Sequence, residues 1–166
     1  GHYSTVWKTD RAGKQYAVKV FRSSSYYREV FDNEISIMEQ LKRLSKDPDS
    51  RYVIEFIEAF AHLKFYYNAA GICRETSVHP CFSMPIYGES LADLLDSDEY
   101  YTDDYAIALP LNSAKNIMRQ IIRGLNFLHK NNIIHTDINT ANILMRKPIS
   151  DVKRSGDIEI VISDFG

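Results

Sequence analysis

The sequence has little covalent reinforcement. Its 166 residues include two cysteines, Cys73 and Cys81, which do not stand at metal-ligand spacing. A reduced intracellular compartment is the plain reading. Charge of one sign is also lacking. With 20 Lys and Arg against 22 Asp and Glu, the formal net charge is −2, so bulk charge gives no argument for nucleic-acid binding. No apolar run approaches the length of a membrane span, and the N-terminus does not read as a signal peptide. Internal repeats and low-complexity segments are absent. What is present is a hydrophobic fraction of 45%, which fits an ordered globular chain of about one domain.

Thr5 to Lys8 has strand composition, residues 10–13 make a turn, and Lys14 to Phe21 alternates as a strand does, so the three predict a hairpin. A serine among residues 23–25 is placed to cap a helix from Tyr26 to Leu44. Phe31, Ile35, Met38, Leu41 and Leu44 form that helix's apolar face, with Glu34 at its edge. Val53 to His62 and Cys81 to Ile86 read as strands, and Leu63 to Pro80 as a long surface loop between them. After the break at residues 88–90 come a short helix, Leu91 to Leu95, and an acidic run from Asp96 to Asp104. The strongest helix runs from Leu111 to about Asn131, with Ile117, Ile121, Leu125 and Leu128 as its stripe, joined by Met118 and Ile122. Ile143 to Met145 and Ile158 to Ser163 are placed to pair as a further hairpin. A strand-rich first half and a helix-rich second half predict an α+β fold in two lobes, with a ligand cleft between them.

The chemistry centres on the stretch from Ile133 to Leu144, where Asp137 and Asn142 face each other across a short polar loop. A second stretch, residues 160–166, delivers Asp164 into a glycine turn. Asp137, Asn142 and Asp164 bring oxygen donors suited to a hard cation such as Mg²⁺, and such a cation brings phosphates with it. That combination points to phosphoryl transfer, which works by positioning and charge neutralisation. Lys19 lies inward on its strand and needs a partner there, because a lone buried ammonium is costly. Glu34 on the following helix is the natural one, and the pair is suited to the α- and β-phosphates of a nucleotide. The plain alternatives are a surface Lys beside a solvated Glu, and a polar turn that uses Asn and Asp for its geometry.

Taken in order, Gly1-His2-Tyr3-Ser4-Thr5-Val6, Ala17-Val18-Lys19, Glu34, His135-Thr136-Asp137 with Asn142, and Asp164-Phe165-Gly166 resemble the signature set of a eukaryotic protein kinase. The first of these, Ser4 standing for the third glycine, together with Tyr27 leading to Asn33-Glu34-Ile35 and Tyr87-Gly88-Glu89-Ser90-Leu91, looks like the SR-protein kinases, with the LAMMER-type kinases as relatives. The resemblance implies a two-lobed fold: residues 1–84 as an N-lobe without its first strand, 85–88 as hinge, and 89–166 as a partial C-lobe up to the Asp-Phe-Gly. It reads the chain as a fragment, inactive by itself. It implies a serine/threonine protein kinase that uses ATP and Mg²⁺, with Asp137 as base, Lys19 and Glu34 setting the phosphates, and Asn142 and Asp164 holding metal. Gly1, Val6, Ala17 and Leu144 would line the nucleotide, Met84 would be the gatekeeper, and the backbone from Pro85 to Tyr87 would meet the adenine edge.

By the same resemblance the partners are protein substrates, Arg/Ser-rich splicing factors among them, with no direct nucleic acid and no membrane. The place of work is cytoplasm or nucleus. Thr136 stands where most kinases carry an Arg that pairs with a phosphorylated activation loop, which implies constitutive activity. Asn139 takes the catalytic place of a Lys, and Thr140 and Ala141 the places of Pro and Glu. Asn carries no charge, and losing a charge-assisted contact at the transition state costs roughly 10²-fold in rate. Asn139 therefore sets an ATP-binding scaffold of weak or no activity beside the kinase, and a similar His-x-Asp…Asn loop sets beside it a small-molecule phosphotransferase of the aminoglycoside kinase type. The acidic run reads as a solvated loop, or else as a surface for a basic substrate. His135 is expected to pack beneath the catalytic loop.

Overall fold

The computed structural model describes residues 3–96, 109–152 and 158–165. The chain divides into two compact units, one of residues 1–42 and 55–86, the other of residues 43–54 and 87–166.

The first unit is a four-stranded antiparallel sheet with one helix. Strands β1 (Ser4–Arg11) and β2 (Lys14–Phe21) form the expected hairpin. Its two-residue turn has Ala12 and Gly13 at φ 55° and 78°. That is the handedness that matches strand twist, and the Gly13 N–H donates to Asp10 Oδ1 at 3.0 Å. Helix α1 (Ser25–Arg43) begins one residue earlier than the periodicity predicts, and Ser24 Oγ accepts from the Tyr27 N–H at 3.4 Å. Its buried residues are Phe31, Glu34, Met38 and Leu41. Glu34 thus sits on the buried face at 2% exposure rather than at its edge, while Ile35 and Leu44 are half-buried. Phe31 meets Phe21 edge-on at 5.2 Å, which ties α1 to the sheet.

Strands β3 (Glu58–Tyr67) and β4 (Cys73–Met84) overturn the expected loop between Leu63 and Pro80. The two strands pair antiparallel out to Tyr67 and Cys73, and the sheet order is β1-β2-β4-β3. Asn68 organises the turn: its Oδ1 accepts from the N–H groups of Ala70 at 3.1 Å and Ile72 at 2.9 Å. Every residue of β3 is exposed. The edge strand therefore shows none of the burial alternation that marks a strand in sequence.

The second unit is built on helix α3 (Leu111–Lys130) and the short hairpin of β5 (Ile143–Met145) and β6 (Ile160–Ile162). Ile117, Ile121, Phe127 and Leu128 are buried, but Met118 and Ile122 are 54% and 60% exposed and do not join the stripe. Buried Gln120 donates to the Ile158 carbonyl at 2.7 Å and accepts from the Ile160 N–H at 3.0 Å. It thereby pairs the Ile160 N–H and shares the Ile158 carbonyl with Asn116 Nδ2, which donates to it at 3.3 Å. The segment Val53–Ile57, expected in a strand, is not one; Val53 makes a single parallel bridge to Ile162. Helix α2 (Leu91–Leu95) starts from a capping box in which Ser90 Oγ accepts from the Asp93 N–H at 3.1 Å and Asp93 Oδ2 accepts from the Ser90 N–H at 2.9 Å.

Two glycines mark close approaches. A Cβ at Gly88 would lie 2.4 Å from the Lys147 carbonyl oxygen, and one at Gly124 would lie 2.8 Å from Ile162 Cδ1. Backbone yields less than a side-chain tip, so Gly88→Ala is expected to destabilise more than Gly124→Ala. In the latter, overpacking of about 1–3 kcal/mol is partly offset by about 1 kcal/mol of helix propensity. Urea unfolding of both variants checks the ranking, and an unaffected Gly88→Ala contradicts it.

The capping box also predicts a pH response. The Ser90 side chain and backbone hydrogen bonds hold the Asp93 carboxyl below its ordinary value. The folded form thus binds its proton less readily than the unfolded chain. This contribution is present above the unfolded carboxylate range and is lost as pH falls through the folded value. Ser90→Ala is expected to lower stability by about 1 kcal/mol at neutral pH and to flatten the acid limb. Melting temperatures measured between about pH 2 and 5 would show an unchanged slope if the bond to Ser90 were idle.

Candidate active site

Lys19 stands in the middle of the first unit's sheet, paired across to Val6 on β1 and to Phe82 on β4. Residues two apart on a strand share a face, so Ala17, Lys19 and Phe21 look toward α1, where Phe21 touches Phe31. The Lys19 ammonium donates to both carboxylate oxygens of Glu34, at 2.7 and 2.8 Å. The side chains of the pair are 11% and 2% exposed, and the Phe21 and Phe82 ring centroids lie 5.3 and 5.8 Å from the ammonium. Two short bonds and two ring faces offset the desolvation that a buried charge pair suffers. Val6 is 57% exposed on β1, Ala17 is half-buried, and Met84 is buried at the end of β4 opposite Ala17. Pro85 is half-buried just after the strand.

In the second unit, Tyr87 is half-buried, and Leu144 is half-buried on β5, bridged to Ser90. Here the loop after α3 alternates in and out: Ile133 is buried, Ile134 is 75% exposed, and His135 is 2% exposed. His135 Nε2 lies 2.8 Å from the Ser163 carbonyl and therefore carries the donated hydrogen; its ring packs on Phe165 at 4.9 Å between centroids. His135 is thus placed as the anchor beneath the loop. Thr136 then turns the chain at φ 68°, its hydroxyl donating to the His135 carbonyl at 2.6 Å. A β-branched residue in this region is strained, and the turn leaves Asp137 exposed.

The Asp137 carboxylate is gripped from its own loop. Asn142 donates from Nδ2 to Asp137 Oδ2 at 3.0 Å and to the Asp137 carbonyl at 2.9 Å. Asn139 donates from Nδ2 to the other oxygen, Oδ1, at 3.0 Å. A carbonyl can only accept, so the atom of Asn142 that faces it is nitrogen. The amide oxygen of Asn142 is then the atom suited to a cation. Asp164, the second cation candidate, is exposed and sits at φ 68°, again left-handed.

Ser163 joins these parts and was not singled out by sequence reasoning. Its N–H and its hydroxyl both donate to the Asn142 carbonyl, at 2.9 and 3.0 Å, while its own carbonyl takes the His135 bond. It thereby fixes Asn142 to the segment that leads from β6 into Asp164. A small polar residue that interrupts the apolar run Ile160-Val161-Ile162 was the available signal.

The chemistry of the donors fits a hard divalent cation: an amide oxygen and a carboxylate, both hard ligands. Among the described residues no group of three or more His, Cys, Asp or Glu could hold a metal alone. That suits an ion that shares its coordination sphere with substrate phosphates. Gly1 lies outside the described residues, as do Gly166 and the acidic residues Asp98, Glu99, Asp103 and Asp104.

A fold of this kind with these residues defines a class. The chain matches the model of the protein kinase domain over residues 1–166 and belongs to that family. Within the family it is similar to the SR-protein kinases. It is 31% identical over 150 residues to the serine/threonine-protein kinase SRPK of Physarum polycephalum, covering 87% of this chain and 31% of that one. It is 32% identical over 149 residues to SRSF protein kinase 3 of Homo sapiens, and 31% identical over 149 residues to protein kinase dsk1 of Schizosaccharomyces pombe, covering 87% of this chain and 24% of each relative. The chain thus spans between about a quarter and a third of the length of these relatives. A crystal structure of a kinase domain has the same fold, with a TM-score of 0.73 at 22% identity over 99% of this chain and 47% of that one.

The buried pair generates a direct prediction. Lys19→Ala leaves the Glu34 carboxylate without its ammonium in an apolar site and is expected to cost about 3–5 kcal/mol. Lys19→Met combined with Glu34→Leu is expected to recover most of that loss. Chemical denaturation of the two variants decides it; a double variant no more stable than the single one contradicts the account.

Proposed function

We propose that this chain carries the catalytic residues of a serine/threonine protein kinase that transfers the γ-phosphoryl group of ATP to serine in Arg/Ser-rich proteins of the splicing-factor kind. The observation that carries the reading is the Asp137 carboxylate, exposed and held at both oxygens by the Asn139 and Asn142 amides. A general base must be reachable and correctly oriented at once. Asp137 accepts the hydroxyl proton of the substrate serine as its oxygen attacks the γ-phosphorus, and ADP leaves with the bridging oxygen. Lys19, held by Glu34, orients the α- and β-phosphates. Val6, Ala17 and Leu144 contact the adenine, with Met84 limiting the depth of its site and the backbone at Pro85 to Tyr87 meeting its edge. Asn142 and Asp164 would hold Mg²⁺, which supplies charge neutralisation across the phosphates when bound.

The names of the similar kinases support the substrate class: SRSF protein kinase 3 is named for its substrates. Thr136 offers no guanidinium to a phosphorylated activation loop, so the activity is constitutive. Among the described residues no helix is long and apolar enough to cross a membrane, and a kinase of this class works in cytoplasm or nucleus.

A second reading has one observation in its favour. Asn139 brings no charge to the γ-phosphate, which suits a nucleotide-binding scaffold of low turnover. Phosphate incorporation into an Arg/Ser peptide, measured with the protein as the cell makes it, separates the two. Asp137→Asn is expected to lower kcat by about 10²–10⁴-fold with little change in KM for ATP. Equal incorporation by wild type and Asp137→Asn would establish the scaffold, and transfer to aminoglycosides in preference to the peptide would establish a small-molecule phosphotransferase.

A further inference from the structure

Asn139 uses both ends of its amide inside its own loop. Its Oδ1 accepts from the N–H groups of Ala141 at 2.9 Å and Asn142 at 3.1 Å. Backbone N–H groups only donate, so the opposite end is nitrogen, and it donates to Asp137 Oδ1 at 3.0 Å. The residue is extended, at φ −147° and ψ 171°, and caps the 3-10 turn Thr140–Asn142. The grip is closed on itself. Asn139 holds one oxygen of Asp137, Asn142 holds the other, and Asn139 also fixes the main chain of Asn142.

A lysine could not do this. Its ammonium has donors and no acceptor, so the N–H groups of residues 141 and 142 would lose their cap. An asparagine here exchanges a charge for an acceptor. Asp137 and Asn139 are both exposed. Without cross-bonds the carboxylate would be free to sample its rotamers in solvent, and ordering it would cost free energy at the moment of reaction.

We propose that Asn139 is a positioning residue: it sets the Asp137 carboxylate through one end of its amide and the Asn142 backbone through the other, and makes no contact with the transferred phosphate. This rests on reading Asp137 as the base.

Two variants separate the arms. Asn139→Ser keeps a neutral cap acceptor and is too short to hold Asp137, while Asn139→Ala removes both arms. Two readouts are needed. Hydrogen exchange at the Ala141 and Asn142 amides requires no nucleotide, and steady-state kinetics separate kcat from KM. The expected results are retained amide protection in Asn139→Ser and its loss in Asn139→Ala. In both, kcat is expected to fall by about tenfold or more, the worth of a hydrogen bond to a charged group, with KM for ATP within about twofold. A merely structural role would not divide the variants in this way. Unchanged kcat in Asn139→Ser, full amide protection in Asn139→Ala, or a loss carried by KM for ATP would each overturn the proposal. A wild-type protein without turnover whose two amides lose protection in Asn139→Ala would overturn the kinase reading and leave the clamp standing.

Discussion

A carboxylate exposed on a loop takes its orientation from the groups that bond it from beside and beneath. At Asp137 it comes from two amides in the plane of the loop and from a buried column below. That column runs from Asn142 through Ser163 to His135, each link a hydrogen bond of 2.8 to 3.0 Å. Its foot rests on the apolar hairpin of β5 and β6, where Ile143, Met145, Ile160 and Ile162 are all buried at 2% exposure or less. The orientation of the exposed carboxylate therefore depends on a packed base. Two of the left-handed residues, Thr136 and Asp164, lie where the chain leaves that base, and their conformation is held in place by the bonds around them.

The first unit solves the converse problem. Its charged group is buried, and the constraint is desolvation rather than freedom. Lys19 meets it with a carboxylate that has almost no exposure and with two aromatic faces. Such a pair adds little net stability but forbids alternatives, because either partner alone would be a buried charge. Helix α1 and strand β2 are thereby fixed in relation to each other at one position, independently of how well their apolar residues pack.

Much of this was legible in the residues. The hairpin of β1 and β2 showed because its inner face alternates and its turn residues are explicit. Helix α3 showed because Ile117, Ile121 and Leu128 repeat at helical spacing. The distal half of β3 and β4 was hidden because an edge strand exposed throughout has no inside to mark, and the turn at Asn68 looks like any polar joint. Met118 and Ile122 misled because apolar character does not by itself specify burial. Glu34 was expected at a boundary, since a charge on a helix ordinarily sits there; the ammonium opposite makes full burial tolerable. Ser163 was passed over because its bonds join it to residues 21 and 28 positions away, a distance at which local pattern says nothing.

The far end of the β3–β4 hairpin has a practical bearing. Its tip is closed by Asn68 and Gly71, and its β3 side chains touch water along their length. Lengthening the arm there would leave the buried Lys19–Glu34 pair of the same unit undisturbed. It is the natural place to splice in an epitope or a fluorescent reporter, and the place where chains otherwise alike in this sheet would be freest to drift apart in length.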